Sequence, residues 1–167
     1  MKKISVIVLA LLFLALPAFA QKIGYVDLQR ALNVSTAGVA AKQQMTEEVQ
    51  KYEGEFKAKQ DEVLQMKADL EKQAALLSES ARAEREREYQ RRVTDLQRFQ
   101  QDIQEDLQRK DAEYTCQIIN ELFEIMQTVG SEAGYTMIIE KNEGAIVYAD
   151  PEFDLTDELI KAYDASK

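Results

Sequence analysis

The sequence predicts an α+β protein: a long antiparallel coiled-coil hairpin arm projecting from a small β-sheet body that both chain ends build, assembled as an oligomer. Three observations carry this reading. Two long heptad-patterned stretches mirror each other about Glu79 and Ser80. A short strand signal flanks each end of the pair. The strands are apolar on both faces, more than one small body covers by itself.

The first stretch places Val49, Phe56, Val63, Leu70 and Leu77 at seven-residue spacing, with Met45, Tyr52 and Met66 at half-heptad positions. The second has Tyr89, Val93, Leu96, Ile103, Leu107 and Tyr114 on the same lattice. A seam sustained over several heptads signals a coiled coil. In an antiparallel hairpin, facing residues have numbers with a constant sum. A sum of 159 pairs Met45 with Tyr114, Phe56 with Ile103, Val63 with Leu96 and Leu70 with Tyr89. It also matches two polar layers, Lys59 with Gln100 and Gln73 with Glu86. Val49 opposite Lys110 is the clear mismatch. Each helix of the arm then spans about 40 residues, roughly 60 Å at 1.5 Å per residue.

Residues 1–20 read as a cleaved signal peptide. Lys2 and Lys3 form a basic start, Ile4 to Leu16 an apolar run, and Ala18-Phe19-Ala20 a small-x-small cleavage site after Pro17. The apolar run is shorter than the roughly 20 residues that span a bilayer. The mature chain is expected to begin at Gln21 and to be exported to the periplasm. A lone cysteine, Cys116, excludes an internal disulfide in that oxidising compartment. It reads as a small helical residue near the arm's base, with an intermolecular disulfide or reactive thiol as the other option.

The body begins with residues 21–35. Ile23 to Asp27 is a strand, Leu28 to Ala31 a helical turn, and Asn33 to Thr36 a loop with a capping signal. Residues 36–129 form the arm. Its first helix runs from Thr36 to Leu77, its tip lies at 78–80, and its second helix runs from Ala81 to Val129. Near the end Ile118, Leu122, Ile125, Met126 and Val129 make a wider apolar face suited to a sheet. Gly130 and Gly134 are expected to stop the helix. Residues 130–167 complete the body. Tyr135 to Glu140 is a second strand, Lys141 to Gly144 a turn, and Ala145 to Ala149 a third strand forming a hairpin with the second. Pro151 breaks the chain, and Thr156 caps a helix from Asp157 to Tyr163. Ile23, Tyr25, Ile138, Ile146 and Tyr148 are the candidate subunit contacts, because the strands' second apolar face needs a partner.

The chain has 30 acidic and 21 basic residues. Loss of Lys2 and Lys3 with the leader leaves a net charge of −11. This field argues against nucleic acid as a partner and against strong binding to anionic membrane. No histidine is present, which removes the commonest neutral-pH base and metal ligand. There is no phosphate loop, no metal-spaced Cys/His set and no nucleophile elbow, so no enzymatic activity, cofactor or metal is expected. Asp150, Asp154 and Asp157 lack the glycine and terminal glutamate of a calcium loop and read as a solvated acidic loop.

Candidate client-binding residues lie on the arm. Leu64, Leu76 and Phe99 are apolar residues away from the a/d stripe. Arg82, Arg85 and Arg92 belong to an arginine cluster just past the tip that alternates with Glu84, Glu86 and Glu88. Soft, methionine-containing, weakly apolar surfaces suit promiscuous binding.

The two ends of the mature chain carry a family resemblance. Lys22-Ile23-Gly24-Tyr25-Val26-Asp27-Leu28-Gln29-Arg30-Ala31-Leu32 resembles the opening of the Skp/OmpH periplasmic chaperones. Tyr135-Thr136-Met137-Ile138-Ile139-Glu140, Ala145-Ile146-Val147-Tyr148-Ala149 and Asp154-Leu155-Thr156-Asp157-Glu158-Leu159-Ile160 resemble their ending. The resemblance implies an ATP-independent holdase, a homotrimer joined through its β-body. Its arms enclose unfolded outer-membrane β-barrel proteins in transit to the outer membrane. The sequence departs from the strongly basic members of that family, and no basic lipopolysaccharide patch carries over. The competing reading is a coiled-coil spacer or adaptor of the cell envelope with one specific partner.

Overall fold

A computed structural model of the protein describes residues 21–73, 75–141 and 146–167. The leader at 1–20 and most of the expected 141–144 turn lie outside them. The element order is β1 (Ile23–Val26), α1 (Leu28–Val34), α2 (Thr36–Gln73), α3 (Glu79–Glu132), β2 (Met137–Glu140), a 3-10 turn (Pro151–Phe153) and α4 (Thr156–Ala165). β1 and β2 form a two-stranded parallel sheet with Ile23 opposite Met137 and Val26 opposite Glu140. Parallel neighbours need a crossover, and here the whole arm is that crossover. The two chain ends therefore meet in one body, as expected.

α2 and α3 form the antiparallel arm. Three cross-arm contacts fix its register near the base: Tyr52 with Asp106, Glu48 with Lys110, and Lys59 with Phe99. Each pair sums to 158, one residue from the expected 159. Toward the tip the sum falls, with Arg92 reaching Glu62. The reason is the tip itself. The turn lies before Glu79, not at 78–80, because Ser78 is the N-cap of α3 and its hydroxyl accepts from the Ala81 N–H at 3.3 Å.

The other end of α3 also differs from expectation. Gly130 does not stop the helix; it is buried inside it, and a Cβ there would lie 2.7 Å from Ile138 Cδ1. Its role is to let β2 approach. The stop is Gly134, at φ +71°. Tyr135 N–H donates to Gly130 O at 2.9 Å and Gly134 N–H to Ser131 O at 3.2 Å. This Schellman pattern satisfies the last carbonyls.

The expected loop at Asn33–Thr36 shrinks to a single residue. α1 continues to Val34, and buried Ser35 separates it from α2. The Ser35 hydroxyl accepts from Gly38 N–H at 3.2 Å. Gly38 is required there, since a Cβ would sit 1.6 Å from Leu32 O. Thr156 is not the cap of α4 but its first residue. Its hydroxyl instead accepts from Asp27 N–H at 2.9 Å and so ties α4 to β1.

The third strand is absent from Ile146–Ala149, and Ala145 lies outside the described residues. The place beside β1 is taken by a bridge between Tyr25 and Asp154. Val147 and Tyr148 are 98% and 87% exposed. A strand is a pairing as well as a propensity, and among the described residues the sheet stops at β1 and β2, with Ile146–Ala149 not paired to the outer edge of β2.

The core sits wholly in the body. Val26, Leu28, Ala31, Ile118, Leu122, Met126, Leu155, Leu159 and Tyr163 form one buried cluster, with Ile138 packed on it. The wider apolar face expected near the end of α3 is this one, covered by α1, α4 and the sheet.

Candidate client surface and subunit face

Two surfaces remain uncovered, one on the arm and one on the sheet. On the arm, Leu76 in the tip turn is 86% exposed and Leu64 on α2 is 58% exposed. Phe99 is not part of this open surface. It is half-buried, edge-on to Tyr52 with ring centroids 6.4 Å apart, and Lys59 Nζ lies 5.0 Å from its ring. Tyr52 lies one heptad from the facing position, within reach of a long aromatic side chain. Arg82 pairs with Glu86 at 2.9 Å and Arg92 with Glu62 at 3.5 Å. Arg85 is exposed with no ion pair among the described residues.

The Val49–Lys110 mismatch resolves into an ionic layer that the heptad pattern does not reveal. Lys110 Nζ lies 2.9 Å from Glu48 Oε1 and 3.3 Å from Asp106 Oδ2. Tyr52 donates to Asp106 Oδ2 at 2.7 Å. Arg109 bonds Asp106 and also Glu113, the latter at 3.0 Å. The Tyr52 hydroxyl, with the Lys110 and Arg109 cations, holds Asp106 below the usual carboxylate range; Glu48 and Asp106 push Lys110 up. Besides the lysine at the seam, the i,i+4 spacings of Asp106–Lys110 and Arg109–Glu113 are the sequence signal of this layer. Beside it, Val49, Phe56, Ile103 and Leu107 line a shallow, open groove of about 280 Å³ along the seam.

Charge is unevenly placed. Residues 57–98, the outer arm, hold 10 Lys/Arg and 9 Asp/Glu. The rest of the chain from Gln21 holds 9 and 21, so the acidity belongs to the body and the arm's base. The outer arm is close to neutral and lacks the long-range repulsion that the total charge implied.

On the body, Ile23, Tyr25, Ile146 and Tyr148 line one open groove of about 680 Å³ with Ile139 and Phe153. Four of the five candidate subunit contacts thus come together. Ile138 does not join them, because strand alternation turns it onto the chain's own core. Burial and the nearby Asp154 carboxylate push the Tyr25 hydroxyl pKa up. The three loop aspartates have structural partners. Asp150 accepts from Glu152 N–H, Asp154 from Thr156 N–H, and Asp157 pairs with Arg30. Among the described residues no cluster of three metal-capable side chains occurs, and no helix is long and apolar enough to cross a membrane. Cys116 is exposed, with Asn120 Nδ2 3.6 Å from its sulfur.

A family model described as outer membrane protein (OmpH-like) matches residues 22–163. The chain belongs to the OmpH-like family. Among its OmpH-like relatives, the chaperone protein Skp of Yersinia enterocolitica is 26% identical over 116 residues, covering 65% of this chain and 70% of that protein. An OmpH-like crystal structure from Caulobacter crescentus CB15 superposes with a TM-score of 0.83. It is 18% identical and covers 89% of this chain and 86% of that one. The structural likeness establishes the OmpH-like fold. Family membership supports a chaperone role.

Proposed function

We propose that the protein is an ATP-independent periplasmic holdase that binds unfolded outer-membrane β-barrel proteins and prevents their aggregation before insertion. The observation that carries this reading is a long arm whose first helix has no buried residue and on which Leu64 and Leu76 stand exposed, outside the body's core. Many weak contacts along a near-neutral outer arm shield a client's apolar strands and exchange quickly. No step in this mechanism consumes nucleotide. Arg82, Arg85 and Arg92 add local attraction for acidic segments. Residues 1–20 are read as a leader removed on export, with 21–35 and 130–167 forming the body and 36–129 the arm, whose base is part of the body. The open apolar groove at Ile23, Tyr25, Ile146 and Tyr148 supports self-association, with a homotrimer as the expected state.

The test is dilution of a urea-unfolded outer-membrane β-barrel into buffer, followed by light scattering, with and without the chain from Gln21 onward. Suppression at near-stoichiometric trimer without nucleotide is the expected result. An intact oligomer that leaves scattering unchanged would favour the spacer or adaptor reading. In the same assay, Leu64→Ser with Leu76→Ser should raise the chaperone concentration needed for half-suppression several-fold at unchanged helicity.

A further inference from the structure

At the arm's root the two long helices do not close on each other. α1, α2 and α3 enclose a pocket of about 260 Å³ lined by Leu32, Gly38, Ala41, Met45, Tyr114 and Ile118. Direct polar ties between α2 and α3 begin further out, at Glu48–Lys110 and Tyr52–Asp106. At the root, where Ala37 and Ala41 of α2 pack on the core that holds Ile118 and Leu122 of α3, the end of α4 adds polar ties to both helices. On one side Asp164 Oδ1 accepts from Thr36 N–H, the first residue of α2, at 2.9 Å. A carboxylate there satisfies an orphan donor and complements the helix dipole. On the other side Lys167 Nζ lies 2.6 Å from Glu121 Oε2 on α3, and buried Tyr163 donates to the same oxygen.

We propose that Tyr163–Lys167 is a two-sided strap that sets the direction in which the arm leaves the body. The earlier part of α4 belongs to the body, through buried Leu159 and the Arg30–Asp157 pair. The strap adds polar ties from α4 to both arm helices, beside the apolar packing of Ala37 and Ala41 of α2 on the core that holds Ile118 and Leu122 of α3. The root pocket leaves room for a small shift. The arm is a lever. Packed helix axes lie about 8–10 Å apart, and residue 65 is about 44 Å along α2 from Thr36 at 1.5 Å per residue. A slip of about 1 Å at the strap therefore moves that point by about 5 Å. In an assembly of such arms, this sets the width of the space between them. The inference stands whether or not the client reading holds.

The test uses the chain from Gln21 onward with Cys116→Ser. Nitroxide labels are placed at Gln29→Cys on α1 and Gln65→Cys on the arm. Labelled chain is diluted into unlabelled chain so that only intrachain distances are read by pulsed electron paramagnetic resonance. Asp164→Ala with Lys167→Ala should shift or broaden the distance distribution by about 5 Å while circular dichroism keeps full helicity. Asp157→Ala, which removes a tie to α1 only, should leave the distribution in place. If the double variant fails to fold, Asp164→Ala and Lys167→Met singly each remove one of the two ties and should move the mean distance in opposite directions. An unchanged distribution in the strap variants, or an equal shift in Asp157→Ala, would overturn the proposal.

Discussion

The arm and the body solve the problem of stability in opposite ways. α2 runs for 38 residues and has no buried residue, whereas the ten-residue α4 buries Thr156, Leu159 and Tyr163. α3 belongs to both regions. Its buried positions, Ile118, Leu122, Met126 and Gly130, all fall in its final third, inside the body. The free energy of folding is concentrated where the two chain ends meet. The arm is held by a thin half-buried seam, interrupted by an ionic layer. Hydrophobic stabilisation scales with area removed from water, so the arm has far less of it per residue. The arm also leaves Leu64 and Leu76 open to solvent.

Core truncation sharpens this contrast most. Leu159→Ala should cost about 2–5 kcal/mol, because Leu159 is fully enclosed. Leu64→Ala should stay within about 0.5 kcal/mol. Urea unfolding of the two variants measures both, and equal losses would break the division into core and arm.

Two glycines make the next test. Gly38→Ala forces a Cβ against Leu32 O and should destabilise by about 1–3 kcal/mol. Gly54 lies mid-helix in the arm with nothing within 4 Å of its Cβ position, so Gly54→Ala should stabilise by about 0.5–1 kcal/mol. Thermal melts should therefore shift in opposite directions.

The smallest effect is a pH dependence. Lys167, and then the Tyr163 hydroxyl, hold Glu121 at a pKa of about 2, below its ordinary 4.5. A depressed carboxylate stabilises the fold fully above the unfolded pKa, and that contribution disappears as pH falls through the folded one. The body should lose it between about pH 4.5 and 2. Lys167→Ala should bring the Glu121 pKa back toward its ordinary value and move the acid-unfolding midpoint, followed by circular dichroism, to higher pH.

The arm was largely legible because it is periodic. A seven-residue repeat reports itself, and a constant sum gave the base register to within one residue. The body's ties have no period. Asp164 with Thr36, Asp157 with Arg30 and Lys167 with Glu121 join residues far apart in sequence, and no local spacing announces them. Two misreadings have the same physical origin, a side chain or segment judged without its neighbour. Phe99 lies off the stripe on a helical wheel, yet its ring reaches Tyr52. Residues 146–149 have strand composition but pair with neither strand of the sheet. The Val49–Lys110 mismatch was a clue to the ionic layer, since a lysine at a seam invites an acid from the facing helix.

Native-state hydrogen exchange of the chain from Gln21 onward tests the division between arm and body most directly. Amides of Thr36–Gln73 and of the outer part of α3 should exchange orders of magnitude faster than those of α4 and the Ile118–Met126 segment, through local opening that leaves the body folded. Uniform protection along the whole of α3, from tip to body, would contradict it and make the arm as rigid as the core.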